Sequence, residues 1–99
     1  MNTTAEQKTT QKINLINGEY TASEALDIVN SVLKVKINFH KLNRLSITEG
    51  NNKDECVYDN GRINELMDAQ KTTKEFLSQA QSSGKKIKMH GVIHIEIEE

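Results

Sequence analysis

Residues 22 to 49 contain neither proline nor glycine, and their apolar side chains recur at helical spacing. A run of this kind folds as one long helix of roughly 42 Å at 1.5 Å per residue. Thr21 followed three positions later by Glu24 has the pattern of a capping box, which starts the helix at residue 22, and Gly50 is placed to stop it. On a helical wheel Ala25, Ile28, Val32, Val35, Phe39 and Leu42 form one apolar stripe, with Ala22, Leu26, Val29, Leu33 and Ile37 forming a second beside it. A helix with two apolar stripes needs two neighbours.

The first neighbour lies downstream. Residues 50 to 60, GNNKDECVYDN, read as a connecting loop, with Asp59 or Asn60 as the cap of a second helix over residues 61 to 82. Along one face of that helix run Ile63, Leu66, Met67, Gln70, Thr73, Leu77 and Ala80, and Gly84 ends it. Residues 86 to 97 then alternate with period two, with Ile87, Met89, Gly91, Ile93, Ile95 and Ile97 on one side, which specifies a strand. A shorter strand over residues 12 to 16 precedes the first helix and is closed by the turn dipeptide Asn17-Gly18. Residues 1 to 11 are polar and read as a disordered tail.

The expected fold is therefore α+β: a short strand, two long antiparallel helices forming a hairpin, and a long C-terminal strand, in a single β-α-α-β domain over residues 12 to 99. The up-and-down path makes the strands antiparallel. An isolated two-stranded sheet is marginal and its edges are exposed, so a second subunit is expected to complete it, giving a homodimer or higher oligomer.

Composition narrows the function classes. Lys and Arg number 13 against 14 Asp and Glu, so no global field draws the chain to nucleic acid or a membrane. No apolar run approaches the roughly 20 residues needed to span a bilayer. With one cysteine, Cys56, and no apolar leader, the expected location is cytoplasmic. A metal site is not expected, because His90 and His94, four apart on a strand, stand roughly 13 Å from one another. Cys56 with His40 lacks a catalytic signature, and Cys56 reads as a free thiol in a mobile loop. No catalytic residue, enzyme activity or cofactor is expected.

One polar cluster stands out. Toward the end of the first helix the apolar stripes turn polar in phase: His40 and Arg44 continue the line of Leu33 and Ile37, and Asn43 and Ser46 that of Phe39 and Leu42. Lys36 lies between the stripes, and Gln70 and Thr73 are the polar positions on the second helix. Three readings fit. The residues satisfy one another or project into solvent at the hairpin tip. Alternatively Lys36, His40, Asn43, Arg44, Ser46, Gln70 and Thr73 line a pocket for a small anionic or nucleotide-derived ligand, with Lys36 and Arg44 supplying charge. The third reading is a protein-binding surface.

Ile16-Asn17-Gly18-Glu19-Tyr20-Thr21 leading into Glu24-Ala25, then Lys36-Ile37-Asn38-Phe39-His40 and the alternation from Ile87, resemble small uncharacterised bacterial and phage-borne proteins of β-α-α-β pattern. The resemblance spans most of the chain from residue 12 and implies a fold but no activity. The expected function is non-enzymatic binding by a homo-oligomer, in its sharpest form a phage-type sponge for an anionic ligand. The alternative is a protein-interaction module, an immunity-type or adaptor protein using the hairpin tip or a strand edge.

Overall fold

A computed structural model describes residues 8 to 98. The element order is β1 (Thr10–Tyr20), α1 (Ala22–Gly50), α2 (Val57–Ser83) and β2 (Ile87–Glu96), an α+β fold with a helical hairpin and a two-stranded antiparallel sheet. The chain forms two compact units, a helical one over Tyr20–Ile87 and a sheet made from the segments on either side of it.

In the helical unit, α1 begins at the expected capping box. Thr21 Oγ1 accepts the Glu24 N–H at 3.1 Å, and Glu24 Oε1 accepts the Thr21 N–H at 2.9 Å. Two of the donors a helix start leaves unpaired are thereby satisfied. The helix includes Gly50, and Asn51 closes it by donating its N–H to the Ile47 carbonyl.

The following loop is shorter than expected, because α2 begins at Val57 rather than near residue 61. Two Asx contacts fold it: Asn51 Oδ1 accepts the Lys53 N–H and Asp54 Oδ1 the Cys56 N–H. Cys56 then occupies the left-handed region at φ 49°, turning the chain directly into α2. Asp59 and Asn60, expected as caps, sit inside the helix and reach α1. At the far end Gly84, at φ 64°, stops α2 as expected, with the Gly84 and Lys85 N–H groups closing onto the Gln81 and Ala80 carbonyls.

The hairpin seam is narrow. Ala22, Ala25, Ile37 and His40 of α1 are buried, as are Asp59, Ile63 and Leu77 of α2, with Cys56 at the turn. Leu66, Gln70, Thr73 and Ala80 are half-buried in the same line of α2. Positions 59, 63, 66, 70, 73, 77 and 80 alternate steps of four and three, the spacing of an antiparallel coiled-coil seam. Of the two α1 stripes, the one through Leu33 and Ile37 faces α2.

In the sheet unit, β1 is longer than the expected strand over residues 12 to 16. Thr10 and Gln11, expected in the tail, already belong to the strand, and Asn17-Gly18 continues it instead of turning; residues 1 to 7 of that tail lie outside the described residues. With 11 residues against 10 in β2, the two strands are nearly equal in length, whereas a first strand confined to residues 12 to 16 would be about half as long as the second. Cross-strand pairing overrides the local turn preference of Asn-Gly, whose φ > 0 geometry is only a weak prior. The Ile97 N–H donates to the Thr9 carbonyl at 2.8 Å, which fixes one end of the register. Toward the other end Ile16 packs over Gly91, where a Cβ would lie 3.5 Å from Ile16 Cδ1.

Removing the cap tests this account of where α1 starts. Thr21→Ala is expected to lower stability by about 1 kcal/mol in urea unfolding with an unchanged denaturant slope, since the cap closes a helix end without altering the exposed area. An unaffected midpoint would contradict it.

Candidate functional site

The polar cluster foreseen on α1 forms, but around a residue of α2. Asp59, 2% exposed, receives three contacts from α1: His40 Nδ1 at 2.9 Å to Oδ1, and Asn43 Nδ2 at 3.1 Å to Oδ1 and 2.9 Å to Oδ2. An ionised carboxylate only accepts, so Nδ1 carries the proton and donates. One turn further along α1, Arg44 donates to Asn60 Oδ1 at 2.7 Å, while Asn60 Nδ2 donates to the Glu55 carbonyl at 2.8 Å. The Cys56 thiol points to the Arg44 carbonyl at 3.9 Å, and Thr48 Oγ1 donates back to the Arg44 and Leu45 carbonyls.

Aromatic rings flank the imidazole. Phe39 meets it edge-on at 5.2 Å and Tyr58 at 5.8 Å, and both rings are themselves largely exposed. Lys36 Nζ lies 4.8 Å from the centre of the Phe39 ring, a cation–π contact. His40 Nε2 is buried without a hydrogen-bond partner among the described residues.

The electrostatics follow from this wiring. The His40 hydrogen bond, then those from Asn43, hold the Asp59 carboxyl below its ordinary value against the opposing effect of burial. Burial, with Asp54 and Asp59 nearby, pushes the Cys56 thiol up. Cys56 is thus a buried residue at the start of α2, not the thiol of a mobile loop, and it is held in its weakly nucleophilic protonated form.

The expected site residues divide into two groups. His40, Asn43 and Arg44 come together, and Lys36 reaches them through the Phe39 ring. Ser46 is exposed. Gln70 and Thr73 are half-buried on the seam but lie eleven and fourteen residues beyond Asp59, roughly 16 and 21 Å along α2, so they do not join the cluster. Asp59, Asn60, Cys56 and Tyr58 belong to it and were missed. The signal for Asp59 was in the seam itself: it stands four residues before Ile63 in the same line, with Cys56 three before that. Among the described residues no three His, Cys, Asp or Glu side chains converge as a metal site would require, and no helix is long and apolar enough to cross a membrane.

No family model matches this chain, and neither a curated protein nor a solved structure matches it.

Two expectations follow. Because the folded value of Asp59 is depressed, its stabilisation is fully present above the ordinary value of 3.8 and is lost as pH falls through the folded value. Asp59→Asn should therefore be less stable than wild type at pH 7, and the gap between them should close in acid unfolding curves below about pH 4; a gap constant with pH would contradict the assignment. Cys56 should react with iodoacetamide at pH 7 at least about tenfold more slowly in the native protein than in urea, and equal rates would show the thiol to be accessible.

Proposed function

We propose that this chain works by binding, without chemistry of its own, as a self-associating interaction module that presents the outer face of its helical hairpin. One observation carries this reading. The polar groups of the cluster are largely spent on one another, while Val32, Val35, Phe39, Leu42 and Leu45 line one side of α1 at 44 to 71% exposure. Scattered exposed apolar residues are ordinary, but a contiguous line of this length is what a protein contact buries. Tyr58 and Phe76 of α2, at 71% and 67%, extend the apolar surface of the hairpin.

The anionic-ligand reading retains one supporting observation. Arg44 is half-buried, and its hydrogen bond goes to the neutral amide of Asn60, with no carboxylate in ion-pair distance among the described residues. Against it, the anionic Asp59 lies within the electrostatic reach of Arg44 and repels a second anion.

Light scattering over a dilution series from about 1 to 200 μM, together with thermal unfolding in the presence of mono-, di- and cyclic nucleotides and inorganic phosphate, separates the two. The interaction module shows a mass above 11.2 kDa at high concentration and no anion-dependent shift. An anion present at about 100 times its Kd would add roughly 2.7 kcal/mol of stability. Such a shift in wild type, lost in Arg44→Ala, would transfer the assignment to the ligand site.

A further inference from the structure

The outer stripe of α1 has internal order that narrows its partner to one. Ile28, Val32, Val35, Phe39 and Leu42 follow steps of four, three, four and three, the same spacing by which the hairpin's own seam is built. Helix α1 thus carries two coiled-coil seams, one closed by α2 and one open. The residues of the open seam are also graded along the helix. Its N-terminal half holds half-buried Ile28 followed by the small β-branched Val32 and Val35, and its C-terminal half the large Phe39 and Leu42.

We infer that the open seam is closed by a second copy of this chain, with the two α1 helices antiparallel about a two-fold axis passing between Val35 and Phe39. This rests on the self-associating reading above and specifies the surface and orientation. In that arrangement Val35 packs against Phe39 of the second copy, Val32 against Leu42, and Ile28 falls opposite Ser46, so each layer pairs a small side chain with a large one. Parallel pairing would stack Phe39 on Phe39 and Val35 on Val35, leaving one layer crowded and the next hollow, which close-packed interfaces avoid. Lys36 falls opposite the neutral Asn38 of the second copy, so no like charge faces its ammonium, which lies 4.8 Å from the centre of the Phe39 ring of its own chain.

The area agrees with a dimer of modest strength. The exposed residues of the stripe present roughly 500 Å² per chain, so two copies bury on the order of 1,000 Å², near the floor for a specific interface. An interface near this floor is the size of transient contacts, so the association should depend on concentration.

Val35 is 71% exposed in the single chain, so a charge there leaves the fold intact and acts on the contact alone. Wild type is expected to reach the two-chain mass by light scattering at about 200 μM, and Val35→Asp to remain at the one-chain mass with an unchanged helical circular dichroism spectrum. For orientation, Val35→Cys and Phe39→Cys proteins are mixed and oxidised, and the mixed disulfide is expected to exceed either self-linked product at least about fivefold, since only facing Cβ atoms can be bridged. Wild type at one-chain mass throughout overturns both this inference and the reading on which it rests. A two-chain mass retained by Val35→Asp, or by a second variant Leu42→Glu, overturns the inference alone and assigns self-association to another surface such as a strand edge. Self-linked Val35→Cys as the main product overturns the antiparallel arrangement.

Discussion

A single buried carboxylate sets the geometry of the hairpin end. Asp59 is 2% exposed and ionised, and a charge so placed persists only if its oxygens are filled. His40 and Asn43 do this from α1, one turn apart, so α2 can neither slide nor rotate without leaving the carboxylate unpaired. Placing Asp59 there fixes the rest. Helix α2 must already be formed at residue 59, the loop must close within six residues, and Cys56 accepts a left-handed backbone to make the turn. Non-glycine residues resist that conformation by about 1 to 2 kcal/mol, which the contacts around it must offset.

Polar pairing of this kind contributes more to register than to net stability. An apolar pair of similar volume would often hold two helices together as well, but it would tolerate a shift by one heptad, whereas one buried hydrogen-bonded charge does not. The seam elsewhere is weakly specifying: it has few fully buried apolar side chains, and Gln70 and Thr73 occupy two of its positions. Helix α1 carries its richest apolar stripe on the outside. That division, a polar lock within the chain and an apolar face left open, underlies the proposed self-association.

Much of the fold was legible because its signals are local. The capping box at Thr21 and Glu24, the stop at Gly84 and the period-two alternation from Ile87 each depend on residues within a few positions of one another. Where the structure departs from expectation, a long-range contact outweighed a local preference. Asn17-Gly18 has turn chemistry but pairs within an 11-residue strand. Asp59 and Asn60 are good helix caps by type, yet their side chains bond to α1, sixteen to nineteen residues back. Along α1, the change from apolar to polar marks His40, Asn43 and Arg44, which the structure brings into one hydrogen-bonded cluster. Their partners went unseen because the second helix was started four residues late, which removed Asp59 from the seam. Gln70 and Thr73 do lie on the face of α2 that meets α1, but the actual register places them about 16 Å or more along α2 from Asp59.

The central claim is that a desolvated hydrogen bond from His40 Nδ1 to Asp59 locks the two helices in register. Long-range ¹⁵N–¹H correlation spectra of the imidazole side chains at neutral pH test it most directly, because they report which ring nitrogen carries the proton and how fast it exchanges with water. The account predicts a His40 Nδ1–H resonance that exchanges slowly and disappears in Asp59→Asn or moves sharply upfield. A His40 protonated on Nε2, or an Nδ1 proton exchanging as fast as those of exposed His90 and His94, would contradict it.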